Sequence, residues 1–175
     1  MKPVIVLALM LGTAPAAVAQ QQHSTPDSAT VTAYRQLLFG LRDTVDFVSG
    51  RSEEFRRDLR TVGDGTVIAR GQRLSRACRS VRDALAEGRP ALNHLPAIDD
   101  ARAVRDSLVL SMRNLERSLD VECLRGLNPE GPGQRADSLR AWGPNRTSNL
   151  SVSVTAFQGA ALRLARRLGI DLTRY

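Results

Sequence analysis

The sequence has few of the residues on which metal, haem and hydrolytic sites depend. It contains only two histidines, His23 and His94. The Cys-x-x-Cys-His motif of c-type haem, the Glu-x-x-His pairs of di-iron bundles and the Gly-x-Ser-x-Gly elbow of hydrolases are all absent. We therefore predict no metal site, no cofactor and no catalytic residue. Paired carboxylates such as Asp99 and Asp100 leave an acid–base enzyme as the third of three functional hypotheses.

Lysine is almost missing as well, because the only one is Lys2. Arginine therefore carries the positive charge, and basic residues outnumber acidic ones by 25 to 18. Such an excess favours anionic partners, which outside the cytoplasm are lipid headgroups, polysaccharides or acidic proteins rather than nucleic acid. The codon bias of a GC-rich bacterial genome is the competing interpretation of an arginine-rich sequence.

The N-terminal residues 1–19 have the composition of a secretory signal peptide. Lys2 supplies the positive charge, residues 4–11 form an apolar run too short to span a bilayer, and Ala17 and Ala19 supply the small residues of a cleavage site. We expect a protein exported to the bacterial periplasm or the medium that does not span the membrane after cleavage. A disordered tail over 20–29 and a single helical domain over 30–175 are predicted to follow.

Apolar residues recur at alternating steps of three and four, which is the spacing of one face of a helix. Four segments show this pattern, and they cover about 31–62, 66–87, 98–125 and 148–168. No stretch alternates in the manner of a strand. The sequence therefore predicts an all-α, antiparallel four-helix bundle with a long first helix and short helical turns in the connections.

Proline and glycine mark the predicted ends of these helices. Gly88-Arg89-Pro90 is expected to stop the second helix. Gly143-Pro144 is expected to separate a short helical turn over 135–142 from the last helix.

Two cysteines, Cys78 and Cys123, fall in the second and third predicted helices. In an exported protein such a pair is more often bonded than free. If helix two ends near residue 87, a simple hairpin separates the two sulfurs by more than about 20 Å. We therefore predict a disulfide together with a linker over 88–98 that climbs along helix one and lets helix three start higher. Two free or intermolecular thiols are the alternative.

Arginine stands at every third position of the stretch RGQRLSRACRSVR, residues 70–82. A step of three turns a helix back by about 60°, so these five side chains spread over about 240°. Most of them are predicted to face water, while Arg70 lies beside the apolar seam and is expected to reach an acid of a neighbouring helix. Binding of an anion by Arg76, Arg79 and Arg82 is the alternative.

Three aromatic residues lie off the predicted seams and are candidate contacts with a partner: Phe39, Phe47 and Trp142. For Phe39 and Phe47 the competing interpretation is burial against another helix or the linker. For Trp142 it is a place as a lid on one end of the bundle.

We recognise no family in these residues, so function is inferred from their chemistry. The leading hypothesis is an exported, non-enzymatic helical protein that acts through contacts with a protein or an anionic envelope component, as a scaffold or chaperone-like factor. The alternative is a bundle that binds a small apolar ligand between its helices. Small residues of the last helix offer room for such a ligand: Ala156, Gly159, Ala160, Ala161 and Ala165.

Overall fold

A computed structural model describes residues 27–126 and 135–172, which form four antiparallel helices around one apolar core. The helical elements of these residues are α1 (Ser28–Asp58), α2 (Asp64–His94), a 3₁₀ turn (Asp99–Ala101), α3 (Arg102–Ser118), a π-helical segment that continues α3 (Leu119–Arg125) and α4 (Ala136–Arg167). No strand occurs among them. The prediction of an all-α four-helix bundle is confirmed. The predicted signal peptide and most of the predicted tail lie outside the described residues.

The first helix follows the apolar seam that the sequence indicates. Asp27 caps its N-terminus by accepting a hydrogen bond from the backbone N–H of Thr30, and this bond lowers the pKa of Asp27 below its usual value. All seam positions from Tyr34 to Leu59 are buried, including the polar Ser52. With 31 residues each, α1 and α2 are about 47 Å long.

The second helix is longer than predicted. It continues through Gly88 and Pro90 to His94, so the predicted stop and the climbing linker over 88–98 are wrong. A Cβ at Gly88 would lie 2.8 Å from Cδ2 of Leu41, which shows that this glycine permits close packing of α2 on α1. Leu92, beyond the proline, is fully buried. Packing of this last part of α2 offsets the free-energy cost of the backbone hydrogen bond that Pro90 cannot donate.

The fourth helix also passes through its glycine and proline without interruption. The separate helical turn predicted over 135–142 is wrong, because it forms the first turns of α4. Gly143 is buried against α1, and a Cβ there would lie 2.8 Å from Cδ1 of Leu59 and 3.2 Å from Cε1 of Phe55. The glycine therefore serves the contact between two helices rather than the end of one.

The disulfide between Cys78 and Cys123 joins α2 to the π-helical segment. Both cysteines are fully buried, and their Cα atoms are 6.4 Å apart. Because α2 continues to His94, the chain enters α3 far enough along the bundle for Cys123 to come level with Cys78. The predicted pairing is present, and the additional turns of α2 take the place of the predicted linker.

The residues after α4 close one end of the bundle. Leu168, Ile170 and Leu172 are buried, and Arg42 of α1 donates a hydrogen bond to the carbonyl oxygen of Leu172. Within the described residues, no helix combines the length and the apolar character that crossing a bilayer requires.

Candidate functional site

The arginines of residues 70–82 lie in different environments. Arg70 pairs with Glu54 and Asp58 of α1, as expected from its place beside the seam, and its Nε is 3.1 Å from Oδ2 of Asp58. Arg82 pairs with Asp83 at 2.8 Å and with Asp120 of the π-helical segment at 3.6 Å. The hydrogen bonds that Arg82 donates to the carboxylate of Asp83 are the main cause that raises the pKa of Arg82 above its usual value.

The other arginines of this stretch are exposed. Arg73, Arg76 and Arg79 make no ion pair or hydrogen bond with the described part of the chain. Successive side chains of the series point about 60° apart, so their guanidinium groups diverge. Since Arg82 is held by two acids, Arg76 and Arg79 are the free members of the predicted anion site. Binding of an anion by the three remains a prediction.

The three aromatic candidates differ in exposure. Phe39 is buried, in agreement with the interpretation that it packs inside the bundle. Phe47 is 52% exposed, and the guanidinium carbon of Arg51 lies 5.1 Å from the centre of its ring. Trp142 is 61% exposed and lies within α4 rather than in a loop. Phe47 and Trp142 are therefore both exposed, and Trp142 belongs to an exposed surface that contains no charged residue.

That surface is the outer face of α4, which we define as the exposed residues between 138 and 162. Its members are Ser138, Ala141, Trp142, Asn145, Ser148, Asn149, Ser151, Val152, Thr155, Ala156 and Leu162. None of them is charged, over a helix length of about 36 Å, and the exposed charged residues Asp137 and Arg163 bound the face at its two ends. Val152 is 70% exposed, and burial of such a side chain by a partner would contribute about 1.5 to 3 kcal/mol.

Two arginines occur in the same stretch of α4, but both bind neighbouring elements. Arg140 donates hydrogen bonds to the carbonyl oxygens of Leu59 at 2.9 Å and Val62 at 3.0 Å, and it pairs with Asp64 at 2.6 Å. It thereby binds carbonyl groups at the C-terminal end of α1, where a positive charge is favourable. Arg146 pairs with Glu122 of the π-helical segment at 3.4 Å. Neither arginine therefore adds an unpaired charge to the outer face.

Sequence reasoning identified Trp142 but missed the outer face as a whole. The available signal was the stretch from Thr147 to Leu162, which contains no charged residue although a quarter of the chain is charged. Helical periodicity alone emphasises the buried seam and gives no weight to the composition of the opposite side.

Several acidic residues of the described chain form ion pairs with arginine. Glu116 pairs with Arg89 of α2 at 2.8 Å, and Asp99 pairs with Arg102 at 2.9 Å. In the described residues no three histidine, cysteine, aspartate or glutamate side chains come together as a metal site. His94 hydrogen-bonds through Nδ1 to the carbonyl oxygen of Pro90, its neighbour one turn earlier.

A shallow depression of about 240 Å³ lies between α1 and α4 near the C-terminal residues. Phe157, Ala161 and Leu162 form part of its apolar wall, while Asp46 accepts a hydrogen bond from Gln158 at 2.6 Å on its polar side. Most of the small residues proposed to leave room for a ligand are buried: Ala160, Ala161 and Ala165. They therefore mainly permit close packing of α4 on its neighbours.

Comparisons of the chain with protein-family models, with curated proteins and with solved structures found no match in any of the three. Function is therefore argued from the surfaces described above.

Proposed function

We propose that the protein is exported and acts without catalysis, as a scaffold or chaperone-like factor that binds another protein through the outer face of α4. The lack of charge along about 36 Å of exposed helix carries this proposal. Charged residues are depleted at the centres of protein interfaces, where desolvating them is costly, and tryptophan is enriched there. Trp142 and Val152 supply apolar anchors, and the serine, threonine and asparagine side chains between them supply hydrogen-bonding groups.

The chemistry of this face favours a protein over a lipid surface. A helix that lies on an anionic membrane has a continuous large apolar side bordered by lysine and arginine. The outer face of α4 instead mixes small, hydroxyl and amide side chains with only a few large apolar ones. Arg140 and Arg146 bind elements of the bundle, which leaves Arg163 as the exposed arginine at one end of the face. Nucleic acid is disfavoured for the same reason, since its backbone requires positive charge.

Site-specific photo-crosslinking tests the proposal. We expect a benzophenone amino acid at Val152 to give a defined protein adduct in cells that produce the protein. The matched control is the same group at Ser80, which is exposed on α2 beside Arg79 and should give none. Val152→Glu should abolish an adduct formed from a benzophenone group at Trp142, because the partner would have to bury a charge. Equal labelling at Val152 and Ser80 would refute the assignment of the interface.

Export is the second part of the proposal. It is supported by the signal-like composition of residues 1–19 and by the buried disulfide, a bond typical of oxidising compartments. We expect the processed protein to begin at Gln20 and to fractionate with the periplasm or the medium. Intact-mass measurement of the purified native protein decides the first point, and a mass that includes residues 1–19 contradicts it.

A small apolar ligand remains the second candidate function, and the depression beside Leu162 is the observation that favours it. Its volume of about 240 Å³ lies just below the common range for ligand pockets, about 300 to 1,000 Å³. Saturable enhancement of Nile red fluorescence is expected if this site binds ligands. Leu162→Glu should remove the enhancement and Val152→Glu should retain it. Absence of saturable binding would exclude this candidate without affecting the protein-contact proposal.

A further inference from the structure

A second cleft lies between the C-terminal turns of α1 and the first turns of α4. Its volume is about 610 Å³. Arg56, Arg57 and Arg60 line it from α1, and Arg140 lines it from α4. Leu59 and Pro144 add apolar surface between these charged groups.

The arginines of α1 in this cleft are not neutralised. Arg56, Arg57 and Arg60 are exposed and make no ion pair or hydrogen bond with the described residues. The nearest acids along the chain are engaged elsewhere, because Asp58 pairs with Arg70 and Asp64 pairs with Arg140.

Glu53 is the sole carboxylate among the residues that line the cleft. Its single negative charge cannot balance three unpaired guanidinium groups. Two net positive charges therefore remain around a concave surface, where a field acts more strongly than on a flat one.

Stability of the helix does not account for the whole arrangement. Basic residues near a helix C-terminus interact favourably with the helix dipole, and this contributes to the presence of Arg56 and Arg57 in the last turn of α1. That role needs no cavity and no apolar surface between the cations. Arg140 is held in place by its bonds to Leu59 and Val62 and by its ion pair with Asp64, so it forms a fixed wall of the cleft.

We propose that this cleft binds the phosphate group of an organic ligand. Side chains four residues apart have Cβ atoms about 5 to 6 Å apart, so Arg56 and Arg60 lie on the same side of the chain, and Arg57 lines the same cleft. Guanidinium groups bind phosphate oxygens in a bidentate manner. The cleft is within the common volume range for ligand pockets, and Leu59 and Pro144 offer a contact for the organic part.

An acidic peptide fits the cleft less well than a phosphate does. Carboxylates along an extended peptide are spaced by about 3.3 to 3.6 Å per residue and therefore extend well beyond one helical turn. The three unpaired cations of the cleft are crowded within five residues, positions 56–60. One phosphate presents several oxygen acceptors within that small space.

Calorimetric titration with phenyl phosphate at low ionic strength tests this inference on the full-length processed protein. We expect saturable binding that strengthens between pH 5 and pH 8, because the second phosphate proton dissociates near pH 6 while arginine stays charged throughout. Phenyl sulfate has no such second proton, so its binding should not strengthen over this range. Absence of saturable phenyl phosphate binding, or the same pH response with both ligands, would overturn the proposal.

A pair of matched variants locates the site. Replacing Arg56, Arg57 and Arg60 together by glutamine should weaken phenyl phosphate binding by about tenfold or more, since each lost charge-assisted hydrogen bond is costly. The control replaces Arg35 of α1 and Arg113 and Arg117 of α3 by glutamine, which removes the same charge from side chains that are also exposed and make no ion pair with the described residues. The control should change affinity by no more than about twofold. Equal weakening in both variants would overturn the assignment to the cleft.

Unaltered circular dichroism and thermal midpoints show that either variant is folded. If the triple variant of α1 fails this check, the single changes Arg56→Gln, Arg57→Gln and Arg60→Gln replace it, and their weakening should exceed that of Arg113→Gln. Tighter binding of hexaglutamate than of phenyl phosphate would identify an acidic peptide site and would also overturn the proposal.

Vesicles distinguish the source of the phosphate. If a lipid headgroup is the ligand, the protein should sediment with vesicles of phosphatidylcholine that contain phosphatidic acid, and it should not sediment with phosphatidylcholine alone. If the ligand is a soluble phosphorylated compound, phenyl phosphate binds and neither kind of vesicle does. The inference does not depend on the outer face of α4, so the photo-crosslinking experiment can fail while this site remains, and the reverse also holds.

Discussion

Removal of the Cys78–Cys123 disulfide is expected to cost a large share of the stability of the bundle. The bond closes a loop with a sequence separation of 45 residues. In the chain-entropy treatment, closing such a loop lowers the entropy of the unfolded chain by about 13 cal/mol/K, which stabilises the folded state by about 4 kcal/mol at 25 °C. Domains of ordinary stability unfold with about 5 to 15 kcal/mol, so the fold should survive the loss with a smaller margin.

Urea denaturation of three samples measures this effect: the oxidised protein, the reduced protein in dithiothreitol, and the Cys78→Ala, Cys123→Ala variant. The reduced protein should lose about 4 kcal/mol of unfolding free energy, and its thermal midpoint should fall by about 8 to 16 °C. Dithiothreitol should have no effect on the double variant, which serves as the control. Coincident unfolding curves for the oxidised and reduced protein would refute the entropic argument for this loop.

Two further predictions concern packing and pH. Gly143→Ala should destabilise the protein by about 1 to 2 kcal/mol, because the new Cβ would lie 2.8 Å from a side-chain carbon of Leu59. Gly40→Ala should instead stabilise it by about 0.5 to 1 kcal/mol, because no atom lies within 4 Å of a Cβ at this helical position. Urea denaturation measures both changes, and equal shifts in the free energy of unfolding would contradict the packing argument. The hydrogen bond from Thr30 lowers the pKa of Asp27, so its stabilising effect is present above the unfolded-state pKa and is lost as the pH falls through the lower folded-state value. Relative to Asp27→Asn, the wild type should therefore lose stability in acid, and parallel pH profiles of unfolding would disprove this.

The sequence predicts the core of this fold better than the ends of its helices. The seam of α1 from Tyr34 to Leu59 is buried as its spacing indicates, because an apolar stripe of this length has no other way to leave water. From the sequence alone, Pro90 and Pro144 predict helix ends, which is the usual local effect of proline. In the folded protein, burial of Leu92 and of Gly143 outweighs that effect. Such tertiary contacts are absent from any local pattern.

The candidate surfaces were predictable to different degrees. The ion pairs of Arg70 with α1 follow from its angular position next to the seam, so the sequence anticipated them. The cleft beside Arg56 and Arg60 needs α4 to pass next to the end of α1, and the interpretation of Gly143-Pro144 as a break obscured that arrangement. The continuity of α4 thus determines both the cleft and the uncharged outer face.

The position of the disulfide also determines how the molecule yields to mechanical load. The disulfide links α2 covalently to the π-helical segment that continues α3. In contrast, α1 and α4 lie at opposite ends of the described chain and are held by non-covalent contacts. When force is applied to the two ends of the chain, α1 and α4 should therefore unfold first. The segment between Cys78 and Cys123 cannot extend while the disulfide is intact. At about 3.3 to 3.6 Å per residue, it adds about 150 Å to the extended length only after the disulfide is reduced.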